Sequence, residues 1–247
     1  MTQYGFFYDQ SRCLGCNNCA LACKTKNYLP PGQIRLLRFY QWETGSFPNV
    51  RMHSLFAPCY HCLNPVCVDV ADGALIKEGK YGAVLIDPDK ATSGSLKDAW
   101  DACPYGAISF DSDAPNSKAY KCDMCVDRLE MGKLPACVMV CPVRALDFGV
   151  LTDLQKKYGS SMDLDGMPSS AVATPAVIFK PMNAKKVLVP YDANEALGLL
   201  AKRDPLPPLF STPSDATDIP AGTISRDKLN MKASGDELML RTMDDAG

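Results

Sequence analysis

The sequence predicts an α+β chain of two small modules, one nested within the other. Short β-hairpins and helices surround cysteine groups, and a C-terminal extension follows. Three observations predict it. All twelve cysteines lie between Cys13 and Cys141. They fall in three groups with Cys103 standing apart, so sulfur chemistry organises the first part of the chain and not the rest. The runs that read as strands, such as 81–86 and 106–110, are short, and small apolar sheets bury little core.

The remaining composition is ordinary for a globular chain, with 47% hydrophobic and 22% charged residues. Basic residues number 26 against 28 acidic ones, so the basic excess of a nucleic-acid binder is absent. The longest apolar runs fall well short of the roughly 18 residues a membrane helix needs. No basic-then-apolar leader opens the sequence, so no signal peptide is expected.

The first group is Cys13-Leu-Gly-Cys16-Asn-Asn-Cys19-Ala-Leu-Ala-Cys23, a C-x2-C-x2-C-x3-C run. The second is Cys59, Cys62 and Cys67. Cys103 stands by itself before Pro104. The last is Cys122, Cys125, Cys137 and Cys141, followed by Pro142. Disulfides would need an oxidising compartment, and closely spaced C-x2-C pairs rarely bridge each other structurally. Structural zinc takes four thiolates per ion from two separated pairs. The last group could supply them, but the first would crowd one tetrahedral ion.

Iron–sulfur clusters fit better. In two-cluster bacterial ferredoxins, three cysteines of a C-x2-C-x2-C-x3-C-P run hold one cubane, and the fourth reaches across to the other. By that rule Cys13, Cys16 and Cys19 join Cys141, while Cys122, Cys125 and Cys137 join Cys23. Cys59, Cys62, Cys67 and Cys103 make a third set. Twelve thiolates then serve three [4Fe–4S] clusters with none left over. The fold expected is a nested pair of two-cluster ferredoxin-like modules.

The second module is incomplete. Ala71 stands where the next cysteine would sit after Cys67. Counting back from Cys103 by the same spacing reaches Ala99, Leu96 and Ser93, none a usual ligand. A register starting at Ala91 also leaves a fourth cluster without ligands. Side chains such as Leu96 and Trp100 are expected to fill that volume.

The motifs resemble a known family, the ferredoxin-like electron-transfer subunits of molybdopterin enzymes of the dimethyl sulfoxide reductase family. The likeness lies in Tyr4-Gly-Phe-Phe-Tyr-Asp-Gln-Ser-Arg12-Cys13, Cys103-Pro-Tyr-Gly-Ala107, Lys121-Cys-Asp-Met-Cys125 and Cys141-Pro-Val-Arg-Ala-Leu-Asp-Phe-Gly149. It spans about residues 4–181. Members usually bind four clusters. The three-cluster pattern is similar to the small subunits of pyrogallol–phloroglucinol transhydroxylase, but residues 150–181 depart from them.

The resemblance implies a non-catalytic subunit paired with a chain that holds a molybdenum bis-pterin cofactor. Cys13/Cys16/Cys19/Cys141 would lie nearest the molybdenum, and Cys59/Cys62/Cys67/Cys103 would take electrons in. The missing fourth cluster is the one that faces a quinol-oxidising membrane anchor in relatives. A soluble donor and a cytoplasmic heterodimer are therefore expected. Co-export with a signal-bearing partner is the alternative. The partner's reaction is expected to be a reduction, such as dehydroxylation of a catechol-type aromatic. Hydroxyl transfer between phenols without net redox, and a free-standing polyferredoxin, are the rivals. No paired carboxylates, Gly-x-Ser-x-Gly, P-loop or dinucleotide fingerprint marks a catalytic site of its own.

Along the chain, residues 1–58 and 111–150 form the first module, 59–110 the inserted one, and 151–247 the extension. Residues 81–86, 106–110 and 176–180 read as strands. Residues 152–158 read as a helix with Thr152 as N-cap and Gly159 as its stop. Asp192-x-x-Glu195 looks like a capping box before a helix at 196–203. A proline-rich arm that wraps a partner begins at about 204. His61, inside Cys59-Tyr-His-Cys62, is expected to tune a cluster or meet the partner, and His53 to be structural. Arg12, Lys121, Arg128 and Arg144 flank cysteines and offset their negative charge.

Overall fold

A computed structural model describes residues 2–46 and 50–182. The expected helix at 196–203 and the proline-rich arm lie outside the described residues. In chain order the first elements are β1 (Tyr4–Asp9), α1 (Asn18–Lys26), β2 (Leu37–Thr44), β3 (Arg51–Pro58), α2 (Val66–Asp69), β4 (Leu75–Lys77) and β5 (Val84–Ile86). Then come α3 (Ser93–Ala102), β6 (Ile108–Phe110), β7 (Ala119–Lys121), α4 (Val126–Glu130), α5 (Ala136–Met139), β8 (Leu146–Val150), α6 (Leu151–Tyr158) and β9 (Val177–Lys180). Residues 2–41 and 54–182 belong to one compact unit, and the tip of the β2–β3 hairpin belongs to a second. In that tip Trp42 stacks on His53, whose Nε2 lies 2.8 Å from the Thr44 hydroxyl.

The largest sheet has the order β8-β1-β9. β1 runs antiparallel to β8 and parallel to β9. Side chains alternate across a strand, and β1 is buried on both faces. Phe6 and Tyr8 meet Phe56, Phe148 and Phe179. Phe7, on the other face, packs with Leu151, Leu154 and Ile178 and stacks on Tyr158. Gly5 lets the segment entering β9 come close: a Cβ there would stand 2.5 Å from the Ala176 carbonyl oxygen. The strand expected at 176–180 is thus present from Val177, built into the central sheet.

Three expectations shift at their ends. The strand read over 81–86 begins at Val84, because Gly82 takes a φ of 73°. That over 106–110 begins at Ile108, after Gly106 at φ 56°. The helix expected over 152–158 starts at Leu151, with Val150 at the N-cap and no side-chain cap. Thr152 is therefore not the cap. The Leu151 N–H bonds the Gln3 carbonyl instead, so a tertiary contact satisfies the first turn. Gly159, at φ 91°, ends the helix as expected.

The segment between Cys59 and Cys103 holds α2, the β4–β5 hairpin and α3. Thr92 caps α3 by accepting a bond from the Ser95 N–H. The β6–β7 hairpin then returns the chain to the last cysteine group. α1 packs on α5, and α2 packs on α3.

Candidate iron–sulfur sites

All twelve cysteines are unbridged, and eight are buried, along short helices and their flanking turns. Left-handed residues bend the loops that carry them. Gly15 and Asn17 bend the first group, His61 the second, and Met124 and Cys125 the last. Gly15 cannot be replaced freely, since its φ of 70° is one that residues with a Cβ rarely adopt. Cys19 and Cys23 lie four residues apart on α1 and so share one face of it.

Cys103 and Cys141 open the same local turn. In each, a cysteine is followed by proline, then by a left-handed residue at the third place, Gly106 or Arg144. An alanine N–H then points back at the sulfur: Ala107 to Cys103 Sγ at 3.5 Å, Ala145 to Cys141 Sγ at 3.3 Å. A short strand follows each, β6 and β8. The signal for this shared turn is the C-P-x-x-A pattern that both segments carry, which cysteine spacing alone does not bring out.

The thiols sort by their electrostatic neighbours. Burial, and after it Cys13, pushes the Cys19 thiol up to about 12, with Cys16 and Cys141 acting the same way. Burial, then Cys125 and Asp123, pushes Cys23 up to about 12 against Lys26. Burial, then Cys23, raises Cys122 and Cys137, and Cys125 adds to Cys137. Burial, then Cys59, Cys103 and Cys67, raises Cys62. Burial, Cys59 and Cys103 push Cys67 up to about 12. Three groups of four emerge: Cys13, Cys16, Cys19, Cys141; Cys23, Cys122, Cys125, Cys137; and Cys59, Cys62, Cys67, Cys103. Cys59 acts on Cys122, and Cys19 acts on Cys137, so the second group stands between the other two.

Cys13, Cys16, Cys19 and Cys141 line one recess of about 350 Å³, counting space open to solvent, with Tyr8, Phe39 and Phe56 behind them. Among the described residues, no group of three His, Cys, Asp or Glu side chains is placed to hold a single ion.

His61 is fully buried. Its Nδ1 accepts the Val84 N–H at 2.9 Å, which leaves the proton of the neutral ring on Nε2. Burial, with Lys121 and Lys77 nearby, holds its pKa well below the usual value and keeps it neutral. Nε2 is buried without a partner among the described residues. An orphaned N–H one residue from Cys62 is the feature expected where a sulfide-bearing group belongs. Lys77 donates to the Cys62 carbonyl and to Gln3 Oε1, contacts the sequence does not signal. Arg128 and Arg144 bond the carbonyls of Leu134 and Met139 and so brace the loop before Cys141.

The fourth position is a hydrophobic core. Ala71, Leu96 and Ala99 are buried together with Ala74, Leu75, Val84, Ile108 and Ala119, and Trp100 packs against them. Leu96 is fully buried in that core and Trp100 packs on its edge. Ala71 follows Cys67 at the spacing by which Cys23 follows Cys19, and Ala99 precedes Cys103 as Cys137 precedes Cys141.

Known proteins are similar to this chain over much of its length. Residues 50–151 match the model of a 4Fe-4S dicluster domain. The B subunit of the anaerobic dimethyl sulfoxide reductase of Escherichia coli (strain K12) is 36% identical over 188 residues, covering 73% of this chain and 89% of that one. This protein belongs to the ferredoxin-like iron–sulfur subunits of the dimethyl sulfoxide reductase family. YnfG of the same organism, described as a probable anaerobic dimethyl sulfoxide reductase subunit, is 35% identical over the same length and share. Protein NrfC of that organism is 39% identical over 153 residues, 61% of this chain and 67% of NrfC. This iron–sulfur subunit is accordingly an electron-transfer chain of that oxidoreductase type. No described helix is long and apolar enough to cross a membrane.

Proposed function

We propose that this subunit holds three [4Fe–4S] clusters and relays single electrons to or from a molybdopterin catalytic chain. Cys13, Cys16, Cys19 and Cys141 hold the first. Cys23, Cys122, Cys125 and Cys137 hold the second, and Cys59, Cys62, Cys67 and Cys103 the third. The observation that carries this reading is the sorting of twelve thiols into three fours, with an apolar core at the fourth position. When bound, each cluster supplies a one-electron couple spread over a rigid core.

The chain's own residues do the rest. Thiols raised by burial to about 12 ionise only against a metal, so loading releases protons and contributes folding energy. The Ala107 and Ala145 N–H groups and Asn27 Nδ2, 3.7 Å from Cys23 Sγ, direct partial positive charge at the ligating sulfurs. That favours the reduced state. The middle position of the second group orders the relay as third, second, first. The core of Ala71, Leu96 and Ala99 ends it at the third.

The nested modules, with residues 59–110 inserted between 1–58 and 111–150, follow from this ligand exchange. Without a fourth cluster at the quinol-side end, the relay takes electrons from a soluble donor in a cytoplasmic heterodimer. The partner is a reductase of a small substrate such as a catechol-type aromatic. Iron and acid-labile sulfide analysis of the anaerobically purified protein tests the cluster number. About twelve irons per chain, four for each cluster, are expected, and about sixteen would overturn it. Size-exclusion of the native protein tests the partner: a molybdenum-containing complex is expected, and a lone chain would favour a diffusing carrier.

A further inference from the structure

We propose that Lys121 is a positioning residue that places a positive charge between the second and third thiol groups. There it raises the reduction potential of the cluster held by Cys59, Cys62, Cys67 and Cys103. This rests on the ligand groups proposed above and goes beyond them.

Lys121 is the last residue of β7, paired with Ile108 of β6 and buried at 7% exposure. Its side chain reaches a cysteine 62 positions back along the sequence. Nζ donates to Cys59 Sγ at 3.6 Å, to the Cys122 carbonyl at 2.8 Å, and to the Val84 carbonyl. An ammonium has three protons and no acceptor. Here three acceptors receive them. Two are neutral carbonyls and the third is a ligating sulfur.

A buried cation with no counter-charge is costly. Among the described residues Lys121 makes no ion pair with a carboxylate, in contrast to Lys26 or Lys180. The negative charge that balances it must come from the thiolate side. A cluster gains one negative charge on reduction, and a fixed cation at its ligand stabilises the reduced form by Coulomb attraction. The contact is unequal. Lys121 touches a sulfur of the third group but only a backbone carbonyl of the second. The effect therefore falls most on the third cluster, less on the second, and not on the first.

The test uses the full-length protein purified anaerobically, with Lys121→Met, Lys121→Gln and Lys121→Arg. Gln keeps a polar donor without charge, and Arg keeps the charge. If Met does not assemble clusters, Gln and Arg decide. Iron is counted in each protein, and all potentials are read by EPR-monitored redox titration. In Met and Gln, one cluster should lose at least tenfold in its reduction equilibrium constant, about 59 mV for a one-electron couple. Another should move less and the remaining one not at all. Arg should stay within threefold of the wild type. With about twelve irons present, three unmoved potentials, or three moved equally, would overturn the role of Lys121. A wild-type protein without three clusters would instead overturn the ligand groups on which the role depends.

Discussion

The apolar core at the fourth position makes a quantitative prediction. Leu96 is 0% exposed, at the centre of a cluster whose members include Ala71, Ala74, Ala99 and Ala119. Leu96→Ala removes three carbons. At roughly 0.8 kcal/mol for each buried methylene, the lost transfer energy is about 2.4 kcal/mol. The cavity left behind adds to it. Leucine-to-alanine changes cost about 2.7–5 kcal/mol, the larger values where the surroundings do not collapse. Alanine side chains have no rotamers with which to fill the gap. The expected cost is therefore in the upper half of that range, about 4 kcal/mol. For a chain of this size, each kcal/mol moves Tm by roughly 2–4 °C, so a fall of about 8–16 °C is expected. Circular dichroism of the anaerobic, cluster-loaded protein reads it. Iron content should stay at the wild-type value, because the space gains no thiol. A fall under about 3 °C, or a gain of four irons, would refute a packed core there.

Other outcomes follow from single contacts. Gly106→Ala places a Cβ on a left-handed residue at φ 56° and should cost about 1–2 kcal/mol. Arg144→Ala, at the matching place of the second turn, should cost less, since Arg144 already carries a Cβ at φ 52°. Equal Tm shifts would show that the two turns are not equivalent. Asp9 is buried, which raises its carboxyl. The Lys180 ammonium at 2.8 Å and two bonds from Ser11 outweigh this and bring it below its ordinary 3.8. A depressed carboxyl stabilises the fold when ionised, and that stability is lost as pH falls through its folded value. Asp9→Asn should therefore lower Tm near neutral pH, and the gap to wild type should close below about pH 4. A gap that is constant with pH would count against the ion pair.

Much of the candidate site was legible in the sequence. The spacing of Cys13, Cys16 and Cys19, or of Cys122 and Cys125, reflects a tight loop, and a tight loop is a local property. Ala71 and Ala99 were legible by the same counting as alanines standing at the cysteine spacing. Element ends were not. Gly82 and Gly106 shorten their strands by taking positive φ, and glycine in a sequence does not announce which conformation it takes. Thr152 has the chemistry of a helix cap, yet the Gln3 carbonyl, far off in sequence, receives the Leu151 N–H instead. Lys77, Gln3 and Asn27 gave no signal because their roles lie in single bonds that leave no pattern along the chain.

The sequence by itself determined how many thiols there are, their grouping, and which positions lack them. Ligand spacing is written along a few residues of backbone and needs no partner segment. Only the tertiary structure decided that Lys121 reaches Cys59, that His61 keeps its proton on a buried and unpartnered nitrogen, and that Ala71 and Ala99 share one core with Leu96. Those facts arise where segments distant in the chain pack together, and close packing is set by the shape of every neighbour at once.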